Sequence, residues 1–250
     1  MKKKISIVLV VLLMGVFVVG CSGEKYYEMP QTTIKASILA DGTLNVRETR
    51  SFEFHGDFSA VWWKFGGFPK RTDVSVNSVY YGVRGDGTAM QKCSEAEFKD
   101  HWREHGGAGP GYFSIDKEKE DVYVFFKAYD ETYDFTIDYS IKNIATRHDE
   151  YSELYWKFVS DGWTADSENV TVNVKLPVPG GEKIVPGDNV RAWGHGDLGG
   201  TLTFHPDKQM VSAHMPHVSG DQFGEVRIIM PSEWMSEIKK VTQPMWNNRH

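Results

Sequence analysis

Apolar and polar positions alternate along most of this chain. Ile34, Ala36 and Ile38 alternate with Lys35 and Ser37, the period of two that puts one set of side chains on a single sheet face. Asp41-Gly42 follows as a tight-turn dipeptide, and a second run passes through Leu44 and Val46 to Phe52 and Phe54. Residues 34–54 therefore predict a β-hairpin. Further strands are predicted at Val122, Val124 and Phe126, and at Phe135, Ile137, Tyr139 and Ile141 after a turn at Asp130-Glu131-Thr132. The alternation returns at Val170–Leu176, at Leu202 and Phe204, at Val211–Met215 and at Val226–Met230. Many short strands closed by Gly, Pro, Asn and Asp predict a mainly β fold. The expected architecture is an antiparallel β-sandwich, as one unit or as two packed β halves.

Two segments leave the period of two and predict short helices. In the first, Ser94 precedes Glu97 by three residues, Phe98 and Trp102 are four apart, and Gly106-Gly107 closes the run, the layout of a capping box and a helix stop. In the second, after Pro231, Trp234, Ile238 and Val241 share one stripe, with Lys239 and Lys240 near its end, where cations favour a helix C-terminus. Gly106 to Gly111 reads as a flexible surface loop or as a seam between two halves. No repeat or low-complexity region is present.

Three lysines at Lys2–Lys4 precede an apolar run from Ile5 to Val19. The run is shorter than the roughly 20 residues a spanning helix needs, and with its basic start it matches a secretory signal. Val18-Val19-Gly20-Cys21 resembles a bacterial lipobox. That resemblance implies a lipidated Cys21 as the mature N-terminus, and more than one acyl chain gives stable anchoring. The expected organisation is a signal peptide at 1–20, a lipidated tether at 21–29, a β domain at 30–231 and a C-terminal helix or tail at 232–250. Beyond the first run, the sequence reaches His250 without a second apolar span.

Loss of residues 1–20, with their three lysines and no acids, takes the formal charge from −6 to −9. An acidic body of this kind argues against nucleic acid, which needs clustered Lys and Arg. The sequence holds only two cysteines. With lipid on Cys21, Cys93 has no partner for a disulfide and reads as a small, partly buried side chain. Stability must come from burial, for which 14 Phe, 11 Tyr and 8 Trp provide the area.

Candidate chemistry is sparse. Gly194 to Gly199, "GHGDLG", fits G-x-G-x-x-G, but it leads into the strand at Leu202 instead of a helix. It therefore reads as a glycine-rich strand connection, not a dinucleotide site. His195, His205, His214 and His217 cluster in sequence without cysteines or a His-Glu-x-x-His helix, so neither a metal nor any other cofactor is expected. No Gly-x-Ser-x-Gly or phosphate-loop motif occurs, and no catalytic residue is assigned. The densest candidate is Arg147 to Trp163, which mixes Asp149, Glu150, Glu153 and Asp161 with Tyr151, Tyr155, Trp156 and Trp163. These residue types suit a sugar-binding or glycosidase cleft; the favoured reading is aromatics in a core and acids in water.

Doublets at Tyr26-Tyr27, Trp62-Trp63, Tyr80-Tyr81, Phe125-Phe126 and Tyr155-Trp156 carry a geometric consequence. Neighbouring strand residues point to opposite faces, so one ring of each pair must leave the core face. Trp62, Trp63, Tyr155, Trp156, Asp161 and Trp163 are accordingly the candidate binding residues, as an exposed apolar surface. The alternative is that the two short helices cover those rings.

Over roughly Tyr26 to Pro231 the chain resembles the extracytoplasmic N-terminal domain of the DUF2207 family of bacterial membrane proteins. The resemblance lies in "DGTLNVRE", "FEFHGDFSAVWW", "YDFTIDYSIKN", "YSELYWKFVSDGW", "VTVNVKLPVP", "HGDLGG" and "EVRIIMP", in that order. It implies a β-rich domain outside the cytoplasmic membrane and carries no catalytic residues. In the usual architecture transmembrane helices follow the domain; here lipid at Cys21 is expected to serve as anchor. The expectation is thus a lipid-anchored, non-enzymatic binding or assembly module on the outer face of the cytoplasmic membrane, or on an outer membrane where one exists. Its expected partner is an envelope protein or a cell-wall glycan, and the competing reading is a glycan-binding protein or hydrolase built on residues 149–163.

Overall fold

The computed structural model describes residues 25–65, 71–196 and 199–240. The signal segment and Cys21 lie outside the described residues. Among the described residues sixteen strands form three sheets. The chain opens with β1 (Tyr26–Ile38), β2 (Leu44–His55), β3 (Asp57–Lys64) and β4 (Asp73–Val83). The short β5 (Gln91–Lys92) and β6 (Ser94–Glu95) precede β7 (Tyr112–Asp116), β8 (Asp121–Tyr129) and β9 (Thr132–Lys142). There follow β10 (Thr146–Arg147), β11 (Tyr151–Val159), β12 (Ser167–Lys175), β13 (Arg191–Gly196), β14 (Thr201–His205), β15 (Met210–Val218) and β16 (Gly224–Pro231).

An eight-stranded sheet in the order β14-β15-β12-β1-β2-β9-β4-β5 is the backbone of the fold. Two four-stranded sheets, β10-β11-β16-β13 and β3-β8-β7-β6, share one apolar core with its inner face. The fold is mainly β and its sheets pack face to face, as the alternation predicts. The eight expected strand runs lie in strands, with Leu176 one residue past the end of β12, and pairing between strands is antiparallel except at β1 with β12 and at the two-residue contact of β6 with β7.

The first hairpin closes where Asp41-Gly42 predicts it. Gly42 takes φ +80°, Leu39 N–H donates to the Thr43 carbonyl at 2.9 Å, and the Asp41 carboxylate accepts from Thr43 N–H at 2.8 Å. The turn at Asp130 has a different role: it carries the chain from one sheet to another. The β2–β9 pair of the large sheet continues into the β3–β8 pair of a small sheet. Both strands bend at one corner, Gly56 (φ +93°) and Asp130 (φ +50°), where Gly56 N–H donates to the Asp130 carboxylate at 2.7 Å. A ribbon that folds over itself in this way packs its two halves against each other.

Neither expected helix forms as a regular α-helix; among the described residues each shortens to a single 3-10 turn, at Asp100–Arg103 and Ser232–Met235. Ser94 is not a cap, because its backbone pairs with Tyr112 in β6–β7. Trp102 and Trp234 still bury their rings, so the apolar spacing marked a packing face that one turn satisfies. β1 starts at Tyr26 and buries Met29, so strand structure begins inside the stretch expected as tether. Among the described residues no helix is long and apolar enough to cross a membrane.

Candidate functional site

The inner face of β2 carries an inconsistency. Its inward residues are Leu44, Val46, Phe52 and Phe54, but between them Glu48 and Arg50 point the same way and are 3% and 1% exposed. A charge is buried only with partners, and these two are paired. Arg50 Nε donates to Glu48 Oε1 at 2.5 Å, Trp63 Nε1–H donates to the same oxygen at 2.9 Å, and the Tyr139 hydroxyl donates to Oε2 at 3.0 Å. Burial, and secondarily the Glu48 charge, push the Tyr139 hydroxyl well above its ordinary pKa, which keeps its proton on the donor. Arg50 also reaches the Thr32 hydroxyl at 3.3 Å, and its guanidinium lies 4.8 Å from the Trp163 ring centroid. Beside the pair is a cavity of about 50 Å³, with Lys64, Lys157 and Ser160 in its walls, room for about a water or two.

This buried cluster fixes two aromatic residues of a groove above it. Trp63 is 3% exposed, clamped by Glu48 and edge-on to Trp163 at 5.6 Å. Because β3 is extended, holding Trp63 inward turns Trp62 outward, and Trp62 is 48% exposed. It stacks at 6.1 Å and 25° on Tyr123 of the neighbouring strand β8. Trp62, Tyr123, Trp102, Phe58, Tyr27 and Trp163 line a groove of about 600 Å³ along β3, which is an edge strand of its sheet. The rim carries Lys25, Lys64 and Arg103 against the single carboxylate of Glu104.

One wall is the 3-10 turn Asp100–Arg103 and the loop after it. Arg103 pins the turn to β7 through two bonds to Asp116, at 2.5 and 2.8 Å, and one to Glu118 at 2.8 Å. The Arg103 hydrogen bond, chiefly, holds the Asp116 carboxyl below its ordinary range. Trp102, Tyr123 and Phe125 form a second small cluster on the outer face of β8. In the loop at 106–111, a Cβ added to Gly107 would meet the Phe125 ring at 2.4 Å.

The structure divides the sequence candidates. Trp62 and Trp163 meet in the groove, Trp62 at its mouth and the mostly buried Trp163 in its wall. Trp63 and Trp156 are corrections: both are core residues, Trp156 at 1% exposure with an indole N–H that has no partner among the described residues. Neither can present a ring to a ligand. Tyr155 faces away from the groove on β11, where its hydroxyl donates to Glu225 and its ring lies 6.0 Å from His195. Asp161 is exposed and pairs with Lys157 at 3.4 Å. Glu153 pairs with Arg227 at 2.8 Å, and Asp149 lies 3.8 Å from Lys240. Glu48, Arg50 and Tyr139 were missed, although the signal is in the sequence: 48 and 50 have the inward parity of Leu44, Val46, Phe52 and Phe54.

Gly194 and Gly196 lie within strand β13, paired with β16, so the start of the expected strand connection is itself strand. Gly196 has φ +110°, and a Cβ there would meet the Phe223 carbonyl oxygen at 1.9 Å. His217 joins Asp166 and Glu168 at the surface, and His55 joins Glu28 and Glu53. Neither group includes His195, His205 or His214, and His217 is held by Glu168 at 2.7 Å.

Comparison with known proteins gives a family and distant shapes. Among solved structures the chain is similar to yeast LTA4 hydrolase in complex with bestatin, with TM-score 0.47, 8% identity, and coverage of 80% of this chain and 28% of that one. It is also similar to an M1 zinc metallopeptidase from Deinococcus radiodurans, with TM-score 0.40, 11% identity, and coverage of 82% and 42%. The chain spans less than half the length of either, and neither likeness bears on activity. No curated protein matches the sequence. The family model described as "Predicted membrane protein (DUF2207) N-terminal domain" matches residues 28–230, and the chain belongs to that family.

Proposed function

We propose that this is a lipid-anchored, extracytoplasmic binding or assembly module without enzymatic activity, and that its contact surface is the groove along β3. The observation that carries the reading is Trp62, half exposed at the mouth of an aromatic groove and held there from below by the Glu48–Trp63 hydrogen bond. A large ring kept in water by a buried network is the kind of anchor that binding surfaces use. The membrane-protein family and the lipobox-like Val18–Cys21 support the placement. The carboxylates offered for glycan hydrolysis at 149–163 support binding over turnover. Glu153, Asp161 and Asp149 are each paired with a separate cation and none lines the groove, whereas hydrolysis needs two carboxyls facing one substrate.

The test is photo-crosslinking in cells from a photoactivatable residue at position 62, with the same residue at position 193 as control. Trp193 is 39% exposed on β13 of a different sheet. Crosslinks from 62 that are absent from 193 are expected. Equal or no capture at 62 would contradict the groove, and cell-wall glycan turnover by the purified protein, lost on Glu153→Gln or Asp161→Asn, would contradict the absence of enzymatic activity.

A further inference from the structure

We infer that the groove lies against the membrane that holds the protein, and that Trp62, Lys25 and Lys64 engage the phosphate-bearing headgroups of its lipids. The inference deepens the proposed function and rests on lipidation at Cys21. Three residues, Ser22-Gly23-Glu24, separate Cys21 from Lys25. Four steps of extended chain span at most about 14 Å, so a lipid on Cys21 holds Lys25 at roughly headgroup distance from the bilayer. Lys25 is itself a lining residue of the groove, with its Nζ 4.5 Å from the Phe58 ring centroid. The short leash therefore selects this face of the domain over the others.

The chemistry of the groove fits that surface. Of its three rim cations, Arg103 is neutralised by Asp116 and Glu118. Lys64 lies opposite Asp121 in the β3–β8 pair and acts on its carboxylate, while Lys25 stands over the Phe58 ring. Two ammonium groups flanking an exposed indole are what a layer of phosphates over an apolar interior attracts. Trp is suited to that boundary because one end of its ring system is apolar and the other donates a hydrogen bond, and a basic residue near an anionic leaflet adds attraction.

The experiment uses the full mature chain in vesicles. Tryptophan quenching by lipids brominated near the headgroup is compared for wild type and Trp62→Phe, in phosphatidylcholine with and without phosphatidylglycerol. Quenching that Trp62→Phe removes, and that phosphatidylglycerol increases, is expected. For the unanchored Cys21→Ser chain added to the same vesicles, Lys25→Gln and Lys64→Gln are each expected to lower partitioning into phosphatidylglycerol membranes roughly fivefold. A lipidated, membrane-bound chain whose Trp62 stays unquenched would overturn the inference while leaving the anchor standing. Absence of lipid on Cys21 by mass would instead overturn the anchor, and with it the leash argument. The inference also fails if glycerol phosphate or glycan fragments displace the Cys21→Ser chain from vesicles, or if Trp62 responds to an extended peptide added along β3 and not to lipid.

Discussion

Replacing Glu48 by Gln tests the buried network most sharply. Glu48 accepts from Arg50, Trp63 and Tyr139, and both members of the ion pair are almost fully buried. Gln can still accept from one or two of these donors, but it leaves the Arg50 charge uncompensated. Breaking a buried pair from one side costs about 3–5 kcal/mol, a large share of the roughly 5–15 kcal/mol that stabilises a domain. For a chain of this size each kcal/mol lowers the melting temperature by about 2–4 °C, so a fall of roughly 6–20 °C is expected. Arg50→Met should cost a comparable amount by leaving Glu48 unpaired. The double variant Glu48→Gln/Arg50→Met, which removes both charges, should recover part of the loss. Urea unfolding followed by tryptophan emission measures all four proteins, and it also reports Trp163, which loses the guanidinium 4.8 Å from its ring. Single variants that shift stability by less than about 1 kcal/mol, or a double variant as damaged as the two singles added together, would refute the reasoning.

Other outcomes follow from placement. Trp156→Ala should cost about 3–5 kcal/mol by emptying a core site, whereas Trp62→Ala should cost less than about 1 kcal/mol, both read from urea midpoints. Cys93 is buried, and burial pushes its thiol up to about 11, so Ellman's reagent at pH 8 should label it only after unfolding. Cys93 and Tyr139 both have folded pKa values raised by burial, so the unfolded chain loses these protons first. Their contribution is complete below about pH 8.5, the unfolded thiol value, and declines as pH rises toward 11, which melting curves at stepped pH will show. Gly107→Ala should push the loop off the Phe125 ring and cost about 1–3 kcal/mol by overpacking, with a change in Trp102 emission.

Strands whose inward positions hold one parity were legible from the sequence. β9 and β12 keep Val, Ile, Leu, Phe or Tyr at every second residue over most of their length, β2 does so on either side of Glu48 and Arg50, and β15 alternates through Val211, Ala213 and Met215. β4 was not legible because it has a bulge between Val76 and Ser78, which switches the buried set from Val74 and Val76 to Val79 and Tyr81. β3 is apolar on both faces, since one faces the main core and the other the Trp102–Phe125 cluster. The doublet argument located Trp62 in principle but could not choose between Trp62 and Trp63, because the choice is made by Glu48, fifteen residues away in the chain. Trp156 drew attention through its acidic neighbours, yet the one acid on β11, Glu153, has the opposite parity to the buried indole, and Asp149, Glu150 and Asp161 lie outside the strand. Parity in the sequence puts Glu48 and Arg50 on the buried side of β2; only the packing shows that Trp63 and Tyr139 are their partners.

Metabolic labelling of cells with a clickable fatty acid, on the wild-type chain and on Cys21→Ser, tests the placement on which the proposed role depends. The account predicts a labelled wild-type band in the membrane fraction and no label on Cys21→Ser. An unlabelled wild-type chain, or label that survives Cys21→Ser, would contradict it.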